Sequence, residues 1–499
     1  MYIFNAYKVF ILVALFFSLG SCDDFLTENP KGEQPVDQFF QTVEEARSFT
    51  NRLYRIGAGA DFYDSINSLE QDPAGLSNMM TGYYRAAEER ASISNITRLT
   101  LGPEVSNESF TDLWEDLFDG VSQANIAIQQ LSDNQQIPED RRLTMLSEAR
   151  FFRALNYFEL VKLWGDVPLV INPPEAVNDD IFRPRTDAAQ IYDQIFEDLN
   201  WVIDQGNLPE QITFPGNNFQ LVEDAALTVL ADAALQSTGF PEQIEENYSI
   251  AADAAREVIN RGVHGLVDHG PNVMENPVEE SAYNIMRTSD FEREFIYSIE
   301  FDNNIATNGV ANIALPRDEG PSQKVAFNNT FNKYRPREPF IAMYDQEEDL
   351  RIQNQQFIYD SFEFEGEEFQ LSNPAPWWYF EEEALFDTGR GTQDFKAYRF
   401  AEVLLIAAEA IARSEGVTPE AVGYLADVRD RALYTTDRSE IENELIGLSE
   451  QEFVEEVWKE KLRELPYDMK LWEDIQRTRL YPTPSETTEG EIEFIDIVG

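Results

Sequence analysis

Apolar residues recur at helical spacing along most of the chain. Phe39, Phe40, Val43, Ala46 and Leu53 share one face, which predicts a first helix within 37–57. The pattern lapses over 58–108, where Gly, Ser, Asn and Asp crowd the text, and this reads as a long excursion with little regular structure. It resumes from Phe110 to Leu131. Pro138 marks the start of another helix running to about Trp164, with Phe151, Ala154, Leu155, Phe158 and Val161 at i, i+3, i+4, i+7 and i+10. Gly165-Asp166-Val167-Pro168 ends it, with glycine past the last turn and proline beyond. Thr186-Asp187 opens a helix to about Ile203. Two Ala-rich arms, 221–238 and 247–261, predict an αα-hairpin around Gly239-Phe240-Pro241. Residues 397–414 and 418–433 predict a second, with Val403, Ile406, Ala407, Ala410 and Ile411 on one face. A last helix runs from about Gln451 to Arg477, with a break near Pro466.

Between 262 and 396 helical periodicity fades and Gly, Pro and Asn become frequent. Glu294 to Phe301 reads as a strand, and the rest as loops with short helices or strands. The chain is therefore helix pairs, a long irregular insert, then helix pairs again. Helix pairs of this length stack like tetratricopeptide units, each burying its face on the next. The fold class expected is mostly α: a tetratricopeptide-like scaffold over 37–261 and 397–480, with the insert 262–396 and few short strands, forming one domain over 37–499.

Charge narrows the function. Among 499 residues, 92 Asp and Glu face 38 Lys and Arg, for a formal charge of -54. Phosphate binding needs clustered cations, so nucleic acid is not an expected partner. Lysine is scarce beside arginine, which suits a protein kept soluble by a hydrated acidic surface, and high salt is one setting for that. One Cys and two His leave no disulfide framework and little for a zinc site.

The N-terminus reads as an address. Lys8 precedes an apolar run from Val9 to Leu19, interrupted at Ser18 and too short to span a bilayer. Leu19-Gly20-Ser21-Cys22 is similar to a bacterial lipobox, with the chain's single cysteine at the lipidation position. Residues 1–21 are then a lipoprotein signal peptide and 22–36 a lipid-anchored stalk carrying Pro30, Gly32 and Pro35. Asp23-Asp24 resembles the surface-export signal of Bacteroidetes lipoproteins.

Catalytic signals are weak. Glycan hydrolysis uses two carboxylates at a set separation, but in so acidic a chain carboxylate pairs carry no specificity. The runs Glu365–Glu368 and Glu381-Glu382-Glu383 read as surface. His264 and His269 flank Asp268 in a Gly-rich turn, too few ligands for zinc, so a loop role is expected. No Asp-x-Asp-x-Asp-Gly loop, Gly-x-Gly-x-x-Gly, Gly-Lys-Ser/Thr or Gly-x-Ser-x-Gly occurs. No cofactor is expected, and a structural calcium held by residues distant in sequence is left open.

Sugar recognition follows another logic. Pyranose C–H faces stack on exposed rings while hydroxyls bond to Asn, Asp, Arg and Gln. Two places fit: Tyr83-Tyr84 with Arg85, Asn78 and Asn95 nearby, and Trp377-Trp378-Tyr379 after Pro374-Ala375-Pro376. Along an extended segment side chains alternate, so at least one ring of the second cluster is expected to be exposed. The competing reading packs both clusters between loop and scaffold. Trp114, Trp164, Trp458 and Trp472 lie on helices and are expected in the core.

Several segments resemble one known family. Glu148-Ala149-Arg150-Phe151-Phe152-Arg153-Ala154-Leu155, continuing through Tyr157-Phe158 to Leu163-Trp164-Gly165-Asp166-Val167-Pro168-Leu169, is similar to the signature of the SusD/RagB surface lipoproteins of Bacteroidetes. Arg183-Pro184-Arg185-Thr186 with Ile191-Tyr192, Tyr398 to Leu405 with Ala408-Glu409-Ala410, and Glu460 to Trp472 with Tyr481-Pro482-Thr483-Pro484 follow in the family's order. The last helix is less rich in Arg and Glu than usual, its terminal proline turn is only approximate, and the apolar, strand-like tail from Glu491 to Gly499 is left unplaced. The resemblance implies a four-unit tetratricopeptide-like scaffold and an irregular ligand-facing half. It also implies a lipoprotein of the outer-membrane surface, without catalytic activity, that captures glycan and passes it to a SusC-type TonB-dependent barrel. A neutral glycan is favoured by the acidic surface. A peptide ligand, a surface glycoside hydrolase and a purely structural lipoprotein are the alternatives.

Overall fold

The computed structural model describes residues 40–59, 78–85, 107–173, 183–209, 220–304, 306–317, 319–328, 330, 334–433 and 435–497. The signal segment 1–21, Cys22, the stalk 22–36, Asn95 and most of the 58–108 excursion lie outside the described residues. Arg85 enters only through its backbone, which pairs with Arg335.

Helices form where the periodicity predicts them. Val43–Leu53 is closed at its start by a capping box, in which the Thr42 hydroxyl accepts from the Glu45 N–H and the Glu45 carboxylate accepts from the Thr42 N–H. Ser449 and Glu452 repeat the device at the start of Glu450–Glu464, and Thr418 with Pro419 opens Pro419–Ala432. The long helices Asn107–Ser132, Glu139–Trp164, Ala188–Gln205, Glu223–Ser237 and Asn247–Arg261 pack each on the next. Asn247–Arg261 then packs directly on Phe400–Glu415, which in turn meets Pro419–Ala432 and Glu450–Glu464. The insert therefore interrupts the sequence but not the stack. The break expected near Pro466 separates Glu450–Glu464 from Leu471–Thr478.

The segments that carry the family resemblance are interhelical locks. Arg153 grips the fully buried Asp198 with Nε at 2.7 Å and Nη2 at 2.6 Å, and Arg150 adds a third bond at 2.8 Å. Glu148, also fully buried, accepts from Arg47 and from the Tyr54 hydroxyl at 2.9 Å. Two helices are thus fixed to the central one by charge as well as by Phe151, Phe152 and Phe158.

A second ionic joint ties the insert to the last helices. Arg399 is bidentate to Asp468 at 2.8 and 3.0 Å and also reaches Glu294 and Glu464 at 3.0 and 3.1 Å. Arg431 bonds Glu294 and Glu464, and Arg351 bonds Asp349, Glu460 and Glu464. Every one of these side chains is buried.

Strands are few and come in four antiparallel pairs among the described residues. Phe295–Ile299, expected from the pattern, pairs with Phe395–Arg399 and closes the base of the insert. Ile358–Phe364 and Glu367–Pro376 form a hairpin around Glu365-Gly366, both with positive φ (52° and 79°), as a two-residue primed turn requires. The tail left unplaced by the sequence forms Ile492–Asp496 against Leu480–Pro484.

Candidate functional site

The rings singled out from sequence are core residues, and this corrects the expectation that one would be exposed. Trp377, Trp378 and Tyr379 are 7%, 5% and 3% exposed. Side chains alternate only along an extended segment, and these three residues instead form a 3₁₀ turn at the base of the hairpin. Its side chains point in three directions, and each direction meets protein. Trp377 donates from Nε1 to Asn284 Oδ1 at 2.8 Å, lies against Phe380 at 4.4 Å between centroids, and carries the Arg287 guanidinium 4.7 Å from its centroid. Trp378 packs edge-on against Phe357, and the Tyr379 hydroxyl donates to the Tyr467 carbonyl at 2.7 Å.

Tyr83 and Tyr84 are buried likewise. Their hydroxyls donate to the Pro482 and Pro466 carbonyls at 2.6 and 2.7 Å, and Tyr83 stacks between Phe340 and Tyr481. This cluster joins the excursion, the insert and the C-terminal segment. Asn78 belongs to it, donating to the Pro466 carbonyl. Trp114, Trp164, Trp458 and Trp472, expected in the core, are half-buried and pack on its margin.

The insert opens a cleft of about 330 Å³ beside Trp377. Arg287, Asp290, Phe380, Glu381, Glu382 and Gln393 stand around it. Arg287 is held by Nε on Asn284 Oδ1 at 3.0 Å and by Nη1 on the Phe380 carbonyl. Its other terminal nitrogen makes no hydrogen bond to a described residue. Burial lowers its pKa to about 10, so it stays charged at neutral pH. The buried arginines of the ionic joints are paired with carboxylates, whereas Arg287 has carbonyl partners and an open side toward the cleft. Gln393 donates to the Arg287 and Trp378 carbonyls, leaving its oxygen available. Both oxygens of Glu381 accept from Thr392 and Gln393.

Behind the cleft, Lys396 is buried with its Nζ unbonded and 5.3 Å from the Phe295 ring centroid. Burial drives it toward the neutral amine, and drives Asp394 up to about 8. Burial, reinforced by Asp290 and opposed by Arg55, pushes the Glu300 carboxyl up to about 7. Unfolded, that carboxyl titrates at ~4.3, so between the two values the folded state holds the extra proton and stability falls as pH rises. Glu300→Gln should therefore lose less stability than the parent between about pH 5 and about pH 7.5 by urea denaturation. Equal losses would contradict the assignment.

His264 and His269 act as loop staples. His264 Nδ1 lies 3.1 Å from the Arg293 carbonyl. His269 accepts the Ala282 N–H on Nδ1 at 2.9 Å and donates from Nε2 to the Arg431 carbonyl at 2.8 Å. Among the described residues no three His, Cys, Asp or Glu gather to hold a metal, and no helix is long and apolar enough to cross a membrane.

Sequence motifs did not point to Arg287, Glu381 or Gln393. They come from three separate segments, and only the folded insert brings them together.

A family model described as starch-binding and associating with the outer membrane (SusD-like) matches residues 24–231, and the SusD family model (SusD_RagB) matches residues 380–491. The chain is 24% identical to SusD-like protein P2 of Formosa agariphila, over 95% of this chain and 91% of that protein. It is 27% identical to SusD-like protein P25 of the same organism, over 58% of this chain and about half (52%) of that longer relative. The fold agrees with a SusD superfamily protein from Parabacteroides distasonis at a TM-score of 0.75 and 22% identity, over 91% and 92% of the two chains. It agrees with surface glycan-binding protein A of Bacteroides thetaiotaomicron, solved with laminarihexaose, at a TM-score of 0.66 and 16% identity, over 87% and 90%.

Proposed function

The chain belongs to the SusD/RagB family, and from that premise we propose that it captures glycan at the outer-membrane surface and delivers it to a SusC-type TonB-dependent barrel. The observation that carries the reading is the match of both ends of the chain to SusD models, one described as starch-binding and outer-membrane-associated. The laminarihexaose bound by a protein of the same fold supports an oligosaccharide as the ligand class. Lipidation at Cys22 would tether the chain, with residues 22–36 as the stalk.

The insert cleft suits this role. Arg287 and Gln393 offer a donor and an acceptor to sugar hydroxyls, and Asp290 and Glu382 stand beside them. Trp377 contributes shape rather than a stacking face, because Phe380 and the Arg287 guanidinium lie against its ring. Capture rather than cleavage is the reading favoured by family membership, and Glu381, one of three carboxylates at the cleft, has both oxygens committed to Thr392 and Gln393. A hydrolase would need such a group free as acid or nucleophile.

The test is affinity electrophoresis of the soluble form starting at Asp23, through gels containing a panel of polysaccharides at low and high salt. Retardation by a neutral polysaccharide without release of new reducing ends is expected. Arg287→Gln should weaken it about tenfold, since hydrogen bonds to charged groups are worth ~1.5–3 kcal/mol. No retardation in either salt would overturn the glycan reading and move the ligand to peptide. New reducing ends would make the protein an enzyme.

A further inference from the structure

The helical scaffold contains a second cavity, of about 290 Å³, that shares no residue with the insert cleft. It opens where the C-terminal end of Glu139–Trp164, the helices Ala188–Gln205 and Glu223–Ser237, the turn at 239–242 and Leu471–Thr478 meet. Its apolar wall is formed by Trp164, half-buried, and Phe240, 38% exposed, with the Arg479 guanidinium 5.5 Å from the Phe240 ring centroid.

Buried polar side chains in folded proteins are nearly always hydrogen-bonded. Several polar groups that line this cavity have no protein partner. Tyr192 is 3% exposed, yet its hydroxyl bonds to no described residue; the side-chain amide of Gln236, 7% exposed, is likewise unbonded. Gln476 brings a further free amide from the last helix. Glu473 accepts from Lys162 on one oxygen at 2.8 Å, while its other oxygen is buried and without a partner. Three helices thus bring unpaired donors and acceptors to one space beside two rings. The buried, unpartnered oxygen of Glu473 is a cost to stability while it stays unbonded, and the other three groups line the same space without a protein partner.

We propose that this cavity is a second saccharide subsite, which takes one neutral pyranose unit by hydrogen bonds to Tyr192, Gln236, Gln476 and Glu473 with the ring set between Trp164 and Phe240. Mixed donors and acceptors match a polyol better than an ion. The volume suits one sugar ring, and the flanking Lys162 and Arg477 are already held by carboxylates. Burial, opposed by Lys162, pushes the Glu473 carboxyl up. The site lies on the scaffold and stands apart from the capture role assigned to the insert, whose failure would leave it untouched.

The experiment is saturation-transfer NMR on the soluble form with the methyl glycosides of glucose, galactose, mannose and xylose as probes. At least one glycoside should receive saturation. Tyr192→Phe and Gln476→Ala should each weaken its binding about fivefold, and the double variant about twentyfold. Arg256→Ala, at a solvent-facing ion pair with Glu415 and Glu420 away from both cavities, should leave the signal unchanged. Tyr192→Phe removes only a hydroxyl without a partner, so its melting temperature should match the parent's. Absence of transfer from all four glycosides would overturn the proposal. So would signals unaffected by both variants, or a marked loss of stability in Tyr192→Phe, which would place the hydroxyl's partner inside the protein.

Discussion

Arg399→Met is expected to destabilise the protein by about 3–5 kcal/mol, the cost of breaking a buried ion pair by removing one partner. Arg399 has no solvent exposure at its side chain and touches three carboxylates, on Asp468, Glu294 and Glu464. Glu294 and Glu464 keep Arg431, but the bidentate hold on Asp468 is lost and a buried charge is left behind. A methionine fills the volume, so the loss is electrostatic rather than a cavity. The contrast is Arg256→Ala: Arg256 bridges Glu415 and Glu420, which are 44% and 39% exposed, on the outer face of the stack. Exposed pairs contribute ~0–1 kcal/mol, so that change should cost under about 1 kcal/mol. Urea unfolding of the two variants at neutral pH measures both. Equal, small losses would mean that the joint between insert and helices does not hold the insert in place.

Trp377→Ala should cost about 3–5 kcal/mol as a large-to-small change in the core. The ring fills the space between Phe380 and Tyr359, and its Nε1 satisfies Asn284. Its loss also removes the surface on which the Arg287 guanidinium rests. Any loss of glycan retention in this variant would therefore accompany a drop in melting temperature of several degrees. Full stability with lost retention would mean instead that the ring is a stacking platform, as its place in a loop first suggested. Trp377→Phe separates the two further, because it keeps a ring against Phe380 and should recover most of the stability.

The scaffold was legible in the sequence because its signals are local. Apolar spacing in Glu139–Trp164, Pro138 and Gly165 at its ends, and the Ala-rich faces of Glu223–Ser237 and Asn247–Arg261 all act within a few turns. The family motif was visible too, though its reason was not. Arg150 and Arg153 serve Asp198, 45 positions or more away along the chain. The insert hid more. The hairpin Ile358–Pro376 carried an alternating pattern around Glu365-Gly366, but Glu-Gly is a weaker hairpin signal than Asn-Gly or Asp-Gly. The Trp377-Trp378-Tyr379 cluster misled because exposure of one ring was inferred from an extended backbone, and a 3₁₀ turn turned all three rings inward. The polar lining of both cavities was out of reach. Arg287 and Gln393, or Tyr192 and Gln476, have no pattern in common until the chain folds.

Under the proposed function the insert cleft holds the captured glycan without cutting it. A crystal structure of the soluble form with an oligosaccharide of the retained polysaccharide decides this. The expected result is an intact sugar chain with hydroxyls within hydrogen-bond distance of Arg287 and Gln393, and Trp377 still covered by Phe380. A glycan bound on another face of the insert, or one cleaved beside Glu381 or Glu382, would contradict it.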